Sequence, residues 1–97
     1  MEIIFEWNAK KASVSREKHR VSFDEAITIF DDPFLLTFSD EFHSLSEDRF
    51  ISIGMSERGR TLLVVHTEHE EANNQIIIRI ISCRKATTSE RKTYEEQ

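Results

Sequence analysis

The sequence predicts an α+β domain in which two N-terminal helices and a C-terminal helix pack on an antiparallel β-meander, in the order β-α-α-β-β-β-β-α. Three observations carry this. Between residues 34 and 85, four apolar segments follow one another with polar connections between them, as a meander requires. The last of them, Ile76-Ile-Ile-Arg-Ile-Ile81, is a run of isoleucines broken once by Arg79, and so β-branched a run favours a strand. Two capping boxes, Ser22-Phe-Asp-Glu25 and Thr87-Thr-Ser-Glu90, mark helix starts on either side of the meander.

Each element follows from its local pattern. Glu2-Ile-Ile-Phe-Glu-Trp7 alternates, with Ile3, Phe5 and Trp7 on one face, and predicts a half-buried strand. Asn8 suits the N-cap of a helix over residues 9–19, whose weak apolar stripe leaves docking to Ala12 and its neighbours. Ser22 and Glu25 cap a second helix reciprocally, and Phe23, Ala26, Ile27 and Phe30 share its buried face. Asp31-Asp32-Pro33 ends it, because the residue before a proline avoids the helical region. Residues 34–38 read as a short strand and 39–48 as a polar loop. Strands over 49–55 and 60–67 form a hairpin whose turn, Ser56-Glu-Arg-Gly59, has a glycine for positive φ. After a polar stretch to Asn74 comes the isoleucine strand, expected at or next to the centre of the sheet and buried on both faces. Arg79 inside it demands an explanation, since an unpaired buried guanidinium is costly. The final helix begins after Thr87 and places Arg91 and Tyr94 on one face.

Ninety-seven residues, 38% apolar and 32% charged, make one folded domain over 1–97 with one modest core. No apolar run approaches the roughly 18 residues that span a bilayer. Met1-Glu2 opens into a short apolar stretch with no basic lead, so no signal peptide is expected. The single cysteine, Cys83, has no internal partner and an apolar setting; a reducing cytoplasm and a core position are expected for it. The net charge of −5 argues against a nucleic-acid binder, but the charge is segregated. Residues 21–48 carry only acids (Asp24, Glu25, Asp31, Asp32, Asp40, Glu41, Glu47, Asp48). Residues 72–94 carry Arg79, Arg84, Lys85, Arg91 and Lys92 against Glu90. An acidic protein can therefore present a basic face, although charge runs are more often solvated surface.

The chemistry narrows by residue type. His66-Thr-Glu-His69 would share a metal on a helix, but on the predicted strand the two imidazoles point to opposite faces. No paired cysteines and no glycine-rich phosphate loop occur, so neither metal nor cofactor is expected. What remains is Arg49, Arg60, Arg79 and Arg84 in or beside strands, and Lys18-His19 at the end of the first helix. Guanidinium groups hold phosphate bidentately and stabilise charge developing on it. Histidine moves protons near neutral pH. RNA brings its own nucleophile, the 2′-OH, so such a set can cleave it without a metal. The plain alternative is that strand arginines pair with this chain's many acids.

A wider set of motifs resembles the BrnT toxins of type II toxin–antitoxin systems. It comprises Phe5-Glu-Trp7 before Lys11, Lys18-His19 before Val21-Ser-Phe-Asp-Glu-Ala26, and Asp32-Pro33. Arg49-Phe-Ile-Ser-Ile-Gly54, Gly59-Arg-Thr-Leu-Leu-Val-Val65, Arg79-Ile-Ile-Ser-Cys-Arg-Lys-Ala86, Glu90-Arg91 and Tyr94-Glu95 continue it over nearly the whole chain. The chain departs from the family pattern at Asn8, Arg20, Cys83 and Glu68-His69. The Arg20 departure puts a side chain where glycine is usual at a left-handed helix end, at a cost of about 1 kcal/mol. The resemblance implies a bacterial ribonuclease of RelE-like fold that inhibits translation. It also implies a BrnA-like ribbon-helix-helix antitoxin that neutralises the toxin and, together with it, represses their operon; operator DNA would be met only through that partner. In such a fold the meander surface is the site, which casts Arg49, Arg79 and Arg84 as phosphate and transition-state contacts. Lys18 and His19 become general acid and base, and Tyr94 a proton donor or a platform for a base. Arg60, Lys85 and Arg91 are expected to contact RNA. In a regular strand Arg79 and Arg84 face opposite sides, so both serve one site only if the strand bends or ends between them. A homologue that only binds antitoxin or RNA is the alternative to an active nuclease.

Overall fold

The computed structural model of the protein describes residues 1–40 and 48–97; the central part of the loop expected over 39–48 lies outside them. Strand β1 (Glu2–Trp7) leads into helix α1 (Ala9–His19) and the short α2 (Phe23–Ala26), which tightens into a 3-10 helix over Ile27–Asp31. Strands β2 (Leu36–Ser39), β3 (Arg49–Met55), β4 (Thr61–Glu71) and β5 (Gln75–Lys85) follow, and helix α3 (Thr88–Glu95) closes the chain. The α+β class and the element order are as expected. The sheet is not a pure antiparallel meander. Strands β2 to β5 form one, but β1 adds to β5 in parallel, giving a mixed sheet in the order β1-β5-β4-β3-β2. The register explains the addition: Ile3, Phe5 and Trp7 stand beside Ile76, Ile78 and Ile80. One parallel pairing thus sends the apolar residues of both strands to the same face.

That face is the core. Ile78, Ile80 and Cys83 of β5 and Leu62 and Val64 of β4 pack under Val21, Phe23, Ala26 and Ile29. Gly54 lets the 3-10 helix close on β3, since a Cβ there would lie 2.8 Å from Leu35 Cδ1 and 3.0 Å from Ile29 Cβ. Helix α1 docks by polar means, as its weak stripe implies: Ser15 is its buried residue, and its hydroxyl donates to the Cys83 carbonyl at 3.2 Å. Asn8 caps α1 by accepting from the Lys11 amide, and Arg20 ends it at φ 60°, the left-handed conformation that glycine takes at least cost.

The second capping box forms in full at Thr87 and Glu90. The first forms only in half. Ser22 accepts from the Glu25 amide, but the Glu25 carboxylate turns into the protein, where Arg60 donates to it from Nε (2.9 Å) and Nη2 and the Ser56 hydroxyl from 2.7 Å. A buried carboxylate gains more from a guanidinium fork than from an exposed helix-end amide.

The outer sheet face is half covered. Helix α3 lays Tyr94 on Ile53 and Leu63, with Ile51, Val65 and Leu36 around them. Along β5 the outer face is not buried, with Ser82 exposed and Ile77 and Arg79 part-exposed. The Arg79 side chain is 43% exposed and pairs with Glu6 of β1 at 3.3 Å. Among the described residues, no helix is long and apolar enough to cross a membrane.

Candidate functional site

Strand β5 carries one residue more than its partner needs. Val65 pairs with Ser82 but His66 with Ile80, leaving Ile81 as a bulge. The extra residue resets the alternation. Arg79 stands opposite Thr67 and Arg84 opposite Leu63, both on the outer face, so the two arginines face the same side after all. They are nevertheless separate, since their partners Thr67 and Leu63 lie four residues apart on β4, about 13 Å of strand.

Their surroundings differ more than their positions. Arg79 lies in a cleft of about 520 Å3 lined also by Glu6, Asp48, Glu68, Glu71 and His69. Four carboxylates around one guanidinium give the wrong field for a phosphate. Arg49 stands across Thr67 from Arg79, one strand further on. Arg84 meets Glu90 bidentately, with Nη1 to Oε1 at 2.7 Å and Nη2 to Oε2 at 2.9 Å. That guanidinium, assisted by the Thr87 amide and opposed by burial, holds the Glu90 carboxyl down at about 2. Lys85 is exposed at the strand end, and Arg91 is exposed and 3.4 Å from Glu95. Arg60, expected at RNA, is instead the partner of Glu25 and keeps that carboxyl below its usual range despite burial. Tyr94, expected to donate a proton, donates its hydroxyl to Asp32 Oδ2 at 2.5 Å; burial and that carboxylate push its pKa up to about 12. It anchors α3.

Lys18 and His19 sit elsewhere, and in a different field. Strand β1 pairs only as far as Ile80, whereas β5 continues to Lys85. Helix α1 passes along this last stretch, its Ser15 hydroxyl donating to the Cys83 carbonyl. The result is a groove of about 500 Å3 between α1 and β5, lined by Asn8, Lys10, Lys11, Val14, Ser15, Lys18, His19, Ile81 and Ser82. Among the described residues, no carboxylate is in that lining and no residue is shared with the Arg79 cleft. The expected set is therefore split: Lys18 and His19 line the groove, Arg84 and Lys85 follow its β5 wall in sequence, and Arg79 belongs to the acid-lined cleft.

Sequence reasoning passed over two polar clusters, one buried and one near the surface. His66 is fully buried; its Nε2 lies 2.7 Å from Ser52 Oγ, which lies 2.8 Å from Thr37 Oγ1, and its ring packs against Phe30 and Phe50. Burial lowers its pKa to about 4. The signal was in the alternation, which places His66 on the face of Leu62 and Val64. As expected, His69 lies on the other face, paired 3.4 Å from Glu71. In the second cluster Asp32 accepts from the Met55 amide (2.8 Å), the Phe34 amide (2.9 Å) and Tyr94, tying the 3-10 helix, β3 and α3 together.

Fold and site together define a small α+β protein in which α1 and α2 cover one sheet face, α3 part of the other, and a cation-lined groove opens between α1 and β5. The sequence profile of the ribonuclease toxin BrnT of type II toxin–antitoxin systems matches residues 7–90. The chain belongs to that family of ribonuclease toxins. No curated protein matches it at the sequence level. Among solved structures it is similar to the Brucella abortus ribonuclease toxin BrnT, with a TM-score of 0.60, 17% identity, and coverage of 91% of this chain and 100% of that one. At that identity the likeness speaks for the fold.

Proposed function

We propose that this toxin cleaves RNA without a metal, in the groove between α1 and β5. The observation that carries the reading is the groove's lining: Lys10, Lys11, Lys18 and His19 converge on one concave surface with no carboxylate among them. A phosphodiester needs positive potential and a group that moves protons, and this is the described cleft that offers both. The reaction is an in-line attack of the 2′-oxygen on phosphorus. The 2′-O–P bond forms as the P–O5′ bond breaks, giving a cyclic phosphate end and a free 5′-hydroxyl. One of Lys18 and His19 accepts the 2′-OH proton and the other protonates or neutralises the leaving oxygen. Lys85, exposed three residues beyond Ser82, extends the positive surface along the RNA, while Arg84 stays paired with Glu90 on the outer face.

The wider reading follows from membership of a type II family, which implies an antitoxin partner. We place the arrangement with the RelE-like folds, the activity in the bacterial cytoplasm against translation, and the partner with BrnA-like ribbon-helix-helix proteins that would carry the pair to its own operator. The test of the chemistry is direct. Purified protein in chelator is expected to cut a single-stranded oligoribonucleotide, and a single 2′-deoxy substitution at the cut site is expected to abolish that cut. Equal cleavage of the deoxy-substituted strand would rule out the 2′-OH mechanism; no cleavage of any RNA would leave a toxin homologue that only binds.

A further inference from the structure

The charge that α1 gives the groove lies at the two ends of the helix. Lys10 and Lys11 stand in its first turn, Lys18 and His19 in its last. The helix residues that line the floor of the groove between them, Val14 and Ser15, are uncharged, and Arg16 lines a separate hollow with Trp7 and Phe23. The two ends also differ in what the fold gains from them. Cations in a last turn suit the helix dipole, so Lys18 and His19 have a structural reason to be there. Lysines in a first turn oppose it, and α1 has no acidic residue there to offset them. Lys10 and Lys11 are exposed and have no carboxylate partner among the described residues. A local rule broken without a structural gain points to a ligand.

We infer that Lys10 and Lys11 form a second phosphate subsite, which holds a phosphate of the same RNA strand outside the bond being cut. The inference rests on the groove being the RNA site, with Lys18 and His19 at the scissile phosphate. Lys11 and Lys18 are about 10.5 Å apart along the helix axis, which puts the second phosphate within about two linkages of the cut. A phosphate midway would lie over the Val14 isopropyl group, where the helix offers no charge. The substrate is therefore a strand with more than one internal phosphate, and the subsite acts on binding and not on the bond change. The nucleotide between the two phosphates meets no aromatic ring in the groove, so stacking does not select its base.

The probe is an oligoribonucleotide with one mapped cut, remade with a single uncharged methylphosphonate linkage at each position in turn. At one linkage near the cut but outside it, the neutral replacement is expected to raise KM at least fivefold and to keep kcat within twofold. The double variant Lys10→Ala, Lys11→Ala is expected to raise KM on the charged strand by a similar factor. In that variant the same neutral linkage is expected to have no further effect, because the cations it met are gone. The double variant is also expected to melt no lower than the wild type, as followed by circular dichroism. Two effects that multiply would place that phosphate elsewhere and overturn the subsite, as would a wild-type KM indifferent to every linkage outside the cut. A fall in kcat with KM unchanged would put the two lysines at the scissile phosphate, against the inference. A lower melting temperature would mean that they serve the fold instead of a ligand. Failure of the RNA reading shows up separately, as cleavage of the charged strand indifferent to Lys18→Ala and His19→Ala.

Discussion

Two stretches of β5 carry an arginine on the same face of the same strand, yet the surfaces beside them differ in charge. Around Arg79 the neighbours are Glu6, Asp48, Glu68 and Glu71; along the strand's far end α1 supplies Lys10, Lys11, Lys18 and His19. The isoleucine-rich half pairs with β1, and β1 brings Glu6. The second half has no β1 beside it, and α1 fills the place with cations. Each strand arginine is itself met by a carboxylate, Glu6 of β1 for Arg79 and Glu90 of α3 for Arg84, so the free cations lining the groove are those that α1 brings. Arginine itself is common to both halves.

The largest expected effect tests this division. Lys18→Ala and His19→Ala are each expected to lower RNA cleavage about 100-fold, the lower end for a lost general acid or base, while Arg79→Ala stays within twofold. Equal losses from all three, measured by initial rates on one oligoribonucleotide, would erase the distinction between groove and cleft. Next come the carboxylates built into the fold. Glu25→Ala strands the Arg60 guanidinium beneath α2 and is expected to cost about 3 kcal/mol in urea unfolding, whereas Glu6→Gln, which breaks a half-exposed pair, costs about 0.5 kcal/mol. A large loss from Glu6→Gln would mean that the cleft organises the sheet.

Acid titration of unfolding sharpens the same contrast with smaller effects. His66 has a folded pKa near 4, below the 6.5 of an exposed imidazole, so between those values the unfolded chain binds the extra proton. Its contribution is complete above pH 6.5 and falls as the pH drops to 4. Glu90, held near 2 by Arg84 against an ordinary 4.5, contributes above pH 4.5 and is lost as the pH falls through 2. His66→Gln is expected to flatten the upper limb and Glu90→Gln the lower. The groove variants should alter neither, and a titration limb that moved with Lys18→Ala would tie the groove to the fold.

Local pattern was enough for most elements. Asn8 and Thr87 cap where their side chains dictate, α1 spans its expected residues, and Arg20 adopts the left-handed end anticipated for it. What escaped reading depends on partners far along the chain. The parallel pairing of β1 joins Glu2 to Gln75 across the whole domain, and no local period records it. Glu25 obeyed the capping grammar in sequence, but folding brings Arg60 to it, and the stronger partner prevails. The candidate residues were legible as a set of cations; their sorting into groove, acid-lined cleft and structural pairs was not. It turns on distant partners, Glu25 for Arg60 and Glu6 for Arg79, and for the face of Arg84 on one unpaired residue, Ile81, that neither glycine nor proline announces. The Thr37–Ser52–His66 chain was visible in principle, since alternation alone puts that imidazole inside.

The same unpaired residue has a consequence for how the chain tolerates shortening. Removing Ile81 leaves Ile80, Ser82, Cys83 and Arg84 alternating regularly, each on the face it already occupies. Removing Cys83 instead would draw Ile81 into the outer position and turn Ser82 into the core. Ile81 is therefore the position within the last turns of β5 where the chain can lose a residue without turning any neighbour over, and such a deletion should keep the fold while levelling the floor of the groove.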